Sequence, residues 1–148
     1  MRLFAAAAFA ALAATPALAA EPVIEKIEAK LFLSDTAALS DNVAEGSGVT
    51  LWNTIIGEGG AGPASDALII VTVRAEAGSF QDAVLNVEIT GHDGKPVASR
   101  KVQGLLIGAD GTAATGIYVE DASCNALTIK ASIGASTMTS GVPFACGE

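Results

Sequence analysis

The chain carries one histidine, His92, and two cysteines, Cys124 and Cys146. A zinc or copper site built on imidazole wants two or three histidines, with Cys or Met at matched spacing. His92 stands alone in the turn Gly91-His92-Asp93-Gly94, and Met138 is the only methionine besides Met1. His92 therefore reads as a polar turn residue, and no metal or cofactor is expected. Nucleophilic catalysis fares no better. Serines are plentiful, but none lies in a G-x-S-x-G elbow, and His92 would be the only imidazole base. Paired carboxylates could serve glycoside chemistry, yet the acids fall mostly in turns and on outer strand faces. Few aromatics are present to make a sugar platform. The expectation is a non-enzymatic protein.

The stretch LWNTIIGEGGAGP, residues 51–63, holds the only tryptophan and the densest run of glycines. A phosphate-binding loop would carry Lys followed by Ser or Thr and would feed a helix. This one carries Glu58, has no lysine, and leads into the apolar run from Ala67. Calcium is the better ligand idea, because Glu58, Asp66, Asp93 and Asp110 all lie in turns. No D-x-[DN]-x-[DN]-G run fixes their mutual spacing, however, so they read as solvated turn acids. A small-ligand or calcium site in the Gly57–Asp66 loop stays as the alternative. The residues of this region that could meet a ligand or partner are Trp52, Asn53, Glu58 and Asp66. Trp52 itself reads as a core anchor, since an indole can bury on the order of 200 Å². Glu58 is the one residue with no evident structural reason.

The two ends of the chain set its expected compartment. MRLFAAAAFAALAATPALAA has a basic Arg2, an apolar stretch from Leu3 to Ala14, and small residues at the cut. It reads as a bacterial-type secretory leader over residues 1–19, cleaved after Ala19 or Ala20, with one domain from 20 to 148. The apolar run falls short of the roughly 20 residues a membrane span requires, so no stable insertion is expected after cleavage. Of the 8 basic residues Arg2 leaves with the leader, which sets 7 against 16 acidic ones. Such a chain repels phosphate backbones and anionic lipid, and nucleic acid is excluded as a partner. In a periplasmic or secreted setting the even cysteine pair reads as a Cys124–Cys146 disulfide. The rival reading makes Cys146 a free carrier thiol, but the apolar Val142 and Phe144 around it favour a packed strand.

The elements that must position these residues read as strands throughout. Val23 to Leu33 puts Ile27, Ala29, Leu31 and Leu33 on one face, with Phe32 breaking the pattern as if covered on both sides. Residues 34–48 read as a loop, with a short helical turn over Thr36 to Leu39 as the alternative. Val49 to Ile56 reads as a second strand with two apolar faces. The β-branched run 67–73 suits a central strand. Val84 to Thr90 and Val97 to Ile107 flank an Asp-Gly turn. Ala113 to Glu120, Leu127 to Ile133 and Val142 to Cys146 follow, with Pro143 marking an edge or a bulge.

Seven or eight strands with short turns and no long helix predict an all-β, antiparallel sandwich. The pattern resembles immunoglobulin-like or fibronectin-type modules at the level of fold. It lacks the antibody order of an early Cys, a Trp and a second Cys. The cysteine register holds a conflict. A hairpin centred on Ala135 pairs Cys124 with Cys146, yet places Leu127 and Ile129 on the wrong face. An extra residue in Asn125-Ala126 or near Gly141, or a longer turn, would resolve it. The function expected is a structural or protein-interaction module of the cell envelope. Its contacts would be a sheet edge near Pro143 or uncovered aromatics among Trp52, Phe80 and Tyr118.

Overall fold

The computed structural model describes residues 20–58 and 60–147, so the leader reading falls outside the described residues. Ten strands form: β1 (Val23–Leu33), β2 (Ala38–Leu39), β3 (Asp66–Arg74), β4 (Phe80–Gln81), β5 (Leu85–Thr90), β6 (Pro96–Val102), β7 (Leu105–Leu106), β8 (Thr112–Val119), β9 (Leu127–Ile133) and β10 (Ser136–Val142). One sheet runs β2-β1-β3-β8 and the other β10-β9-β5-β6, with β4 and β7 paired apart. All pairings are antiparallel. The two main sheets share one apolar core. The fold is therefore the β-sandwich that the alternation predicts, with the seven long strands split three and four.

The core follows from period-two patterning. Ala67, Ile69, Val71 and Val73 of β3 are fully buried, as are Ile89, Ile129 and Ala131 of the facing sheet. Leu68 and Ile70 lie half-buried on the outer face of β3, which explains why the run reads as continuously apolar. Phe32, expected to be covered on both sides, is instead exposed on the outer face of β1.

Residues 34–48 form a loop, as the glycine and serine content suggests, but one with a structural task. After Ala37, which is left-handed at φ 51°, the chain doubles back along β1. The Ser40 N–H bonds the Leu31 carbonyl (2.9 Å), and the Val43 N–H bonds that of Ala29 (2.8 Å). Side chains supply the other half of this pseudo-ladder. Ser40 Oγ accepts from the Leu31 N–H at 2.9 Å, and Asn42 Oδ1 accepts from Ala29 N–H (3.0 Å) and Ala44 N–H (3.1 Å). Val43 and Ala44 enter the core. The Glu45 N–H then bonds Gly141 carbonyl on β10 at 2.7 Å. This strap seals the side where β1 and β10 meet. At the other end of that side the Ile24 N–H reaches Ser136 Oγ, 2.9 Å away.

Three expected strands do not form as read, two of them in the loops. Val97 to Ile107 is interrupted at Gly104, left-handed at φ 70°. A Cβ there would stand 2.8 Å from the Phe80 ring, so glycine is required where β4 and β7 pair. Val49 to Ile56 is not a strand. It makes only an isolated bridge at Trp52 before a 3-10 turn over Thr54–Ile56.

The cysteine conflict resolves through register. β9 and β10 join by a two-residue turn that pairs Ser136 with Ile133 and Val142 with Leu127, one residue off the register that would pair the cysteines. The ladder stays unbroken through Gly141, and the offset is absorbed beyond it. Cys124 is left-handed at φ 63°, and the Asn125 N–H turns back to the Ala122 carbonyl at 3.4 Å. Cys124 and Cys146 are disulfide-bonded with their Cα atoms 4.9 Å apart, so Cys146 is not a free carrier thiol. The segment Val142 to Cys146 is not a strand. β10 ends at Val142, and the residues after it turn to meet Trp52.

Candidate functional site

One end of the sandwich gathers most of the residues singled out by sequence. It is built from the loops after β1, before β3, between β5 and β6, after β8 and after β10. Beyond Val142 the chain lies parallel to residues 51–53. The Ala145 N–H bonds the Leu51 carbonyl and the Asn53 N–H bonds the Ala145 carbonyl, both at 2.9 Å. Leu51 and Phe144 sink into the core on either side of this pairing. The disulfide holds the tail from the next residue, Cys146, to the turn at Cys124.

Asn53 is the hinge of the site. Its backbone is left-handed at φ 44° and ψ 46°, a conformation asparagine tolerates better than most residues. That single residue ends the extended segment and starts the 3-10 turn. Its carbonyl accepts from the Ile56 N–H at 3.1 Å and the Glu58 N–H at 3.4 Å. Its side-chain Oδ1 accepts from the Gly147 N–H, and its Nδ2 donates to Glu58 Oε2, both at 3.0 Å. Glu58 thus has the structural partner that the sequence did not reveal. Gly57, left-handed at φ 79°, packs where a Cβ would meet Pro63 at 3.0 Å. The Pro63 carbonyl accepts both the N–H and Oγ of Ser34 (2.8 and 3.0 Å). The glycine loop therefore crosses from the tail beside β10 to β3 in the other sheet.

The consequence for the apolar side chains reverses the expectation. Trp52 is 43% exposed, Ile55 57% and Ile56 69%. Trp52 is not a core anchor, because a strand over 49–56 would be needed to alternate it inward. Its ring rests on the tail instead: a Cβ at Gly147 would lie 2.8 Å from Cζ2. Thr54, two residues after Trp52, is buried, and its Oγ1 finds no hydrogen-bond partner among the described residues.

Asp66 lies at the same end but answers to other groups. It accepts from the Tyr118 hydroxyl, the Asp121 N–H and Ser65 Oγ. The Tyr118 bond foremost, then that of Asp121, holds its carboxyl below the ordinary range. The same contact with Asp66 raises the Tyr118 phenol. His92 pairs its N–H and Nδ1 with Asn125 Oδ1 at 3.0 and 2.9 Å. Asp93 is tied to Lys95, and Asp110 caps Thr112. Asp110 follows β7 and Phe80 forms β4, both at the opposite end, so Phe80 does not join Trp52, whereas Tyr118 reaches this end through Asp66. Among the described residues no three His, Cys, Asp or Glu side chains gather as a cation would need. The edge near Pro143 is likewise occupied by the chain itself, through Glu45 on Gly141 and residues 51–53 on the tail.

What remains at this end is an apolar patch in an acidic field. Asp35, Glu58, Asp66, Asp93, Glu120 and Asp121 stand in its loops or at their margins, against Lys95, which is paired to Asp93 at 2.7 Å. No signal in the sequence separated Ile55 and Ile56 from core residues.

No family model matches the chain, and no curated protein matches it. Among solved structures it is similar to a β-glucuronidase of Bifidobacterium dentium complexed with coumarin-3-O-glucuronide, with 15% identity and a TM-score of 0.44 over 82% of this chain. It is also similar to the Parabacteroides merdae β-glucuronidase with glycerol in its active site, with 14% identity and a TM-score of 0.41 over 85%. A third similarity, to a β-glucuronidase of glycoside hydrolase family 2, has 16% identity and a TM-score of 0.39 over 54%. The matched stretches span 17%, 13% and 10% of those three chains.

Proposed function

We propose that this chain is a non-catalytic β-sandwich module of the bacterial envelope, exported to the periplasm or beyond, that works by binding a protein partner. The observation that carries the reading is the exposure of Trp52, Ile55 and Ile56, three large apolar residues within five positions, on a backbone held by Asn53, the tail and the disulfide. Scattered apolar residues are ordinary on a surface, but a contiguous rigid patch containing Trp suits an interface. The acidic field around it selects a partner surface with apolar side chains ringed by Lys or Arg.

A photo-crosslinking residue at Ile55, placed in the native envelope, is expected to give one discrete adduct identifiable by mass spectrometry. Ile56→Glu should abolish that adduct without changing the amount of protein. Recovery of monomer alone would sink the reading. Melting with calcium or with EDTA is expected to give the same Tm. A calcium-dependent rise would favour the loop as a cation site instead.

A further inference from the structure

The hydrogen-bond parity of the first sheet identifies a second surface. Arg100 Nη1 donates to the Gly116 carbonyl from β6, outside the β3–β8 ladder. The Gly116 carbonyl therefore points away from β3, and with period two so do the backbone groups of Ala114 and Tyr118. The opposite edge confirms the phase. Ala29 and Leu31 of β1 turn their N–H groups outward to Asn42 and Ser40, as the register of β1 and β8 on β3 requires.

Edge strands are normally blunted by charge, proline or a bulge. β6 carries Pro96, Arg100 and Lys101, and β10 is held at both ends by Ile24 and Glu45. β8 has none of these devices. Its sequence TAATGIYV is uncharged, and its eight pairs with β3 run without a register shift. β6 of the other sheet runs near this edge without pairing to it. Among the described residues only Arg100 hydrogen-bonds its outward groups, and an exposed side-chain bond is readily displaced.

We propose that the free edge of β8 accepts an extended segment of a partner protein as an added antiparallel strand. The charges at its ends choose the occupant. Glu120 and Asp66 both act on Tyr118, while Asp110 stands just before Thr112. A second copy paired antiparallel would bring Asp110 of one chain against Glu120 of the other. A foreign segment with a Lys or Arg at its N-terminal end meets Glu120 instead. The backbone would supply the affinity, and the Glu120 end the orientation.

The test is amide exchange on the purified protein with a synthetic peptide of alternating valine and threonine that begins with lysine. Saturating peptide should slow exchange at Ala114, Gly116 and Tyr118 by about tenfold or more. Ala114→Pro removes an outward donor without touching the β3 ladder and should abolish that protection. Glu120→Lys keeps the backbone intact, so it serves even where the proline variant fails to fold. It should weaken the lysine peptide by about threefold and strengthen a glutamate-led one. The proposal falls if millimolar peptide leaves these amides unprotected, or if it protects Thr137 and Thr139 of β10 instead. It also falls if the amides become protected with protein concentration alone, which would mark a second copy.

Discussion

β1 and β8 border the same sheet on opposite sides of β3, yet their outward backbone groups meet different fates. Those of Ala29 and Leu31 on β1 are matched one for one by the strap: Ser40 and Asn42 accept, and the backbones of Ser40 and Val43 donate. Those of β8 meet one arginine and, among the described residues, no other hydrogen-bond partner. The strap costs the chain some eight residues with no ladder of their own beyond Ala38–Leu39, and it brings Val43 and Ala44 into the core. A sandwich needs cover where its sheets part, and here that cover is confined to one side. The difference separates a side that carries stability from a side left free to bind.

The largest effect expected on the closed side comes from the disulfide that holds the tail. Replacing both Cys124 and Cys146 by Ser opens a 22-residue loop and should cost about 3 kcal/mol in the chain-entropy account. Denaturant melts would measure it, and amides at Asn53 and Ala145 should exchange faster while β8 stays unchanged. Next is Asn42→Ala, which strips the acceptor from the part-buried N–H groups of Ala29 and Ala44 and should cost about 2 kcal/mol. Faster exchange at Ala29 and Ala44 alone would show that the strap, not the core, was loosened. A loss as small as that of a surface substitution would break the comparison.

On the open side effects should be small. Arg100→Ala is expected to stay within about 0.5 kcal/mol, since water can replace an exposed side-chain donor. Smallest is Tyr118→Phe, best read as a pH profile. Asp66 is lowered in the fold, so its contribution exists above the ordinary aspartate pKa and fades as pH falls through the folded value. Tyr118 is raised, so its contribution exists below the ordinary tyrosine pKa and fades as pH rises through the folded one. The stability gap between wild type and Tyr118→Phe should therefore be widest between about pH 4 and 10 and close on both sides. A flat gap would mean that the hydroxyl does not act through Asp66.

The sequence makes the regular ladders far more legible than the strap. Leu85, Val87 and Ile89, or Leu127, Ile129 and Ala131, show their faces by alternation because each packs on its neighbours across a regular ladder. The strap has no such period. Its bonds run from Ser40 and Asn42 side chains to β1 N–H groups that nothing local announces. Trp52 misleads for a related reason. LWNTII alternates like a strand, and only the left-handed Asn53 turns the two isoleucines outward. The disulfide was legible from compartment and count, whereas its one-residue offset from the ladder depended on the conformation of Cys124. Asn53 and Glu58 were singled out for chemistry, and their geometry is that of a hinge and its brace.

The chain enters the sandwich at Val23, beside Arg74 at one end, and leaves it at Gly147, beside Asn53 at the other. A pull between those points would drag β1 lengthwise past β3, loading its nine paired positions together rather than peeling them apart in turn. The strap bonds on Ala29 and Leu31 lie along the same line and would share that load. Tension applied between those points would meet the β1 bonds in shear, the geometry in which many weak bonds must fail at once.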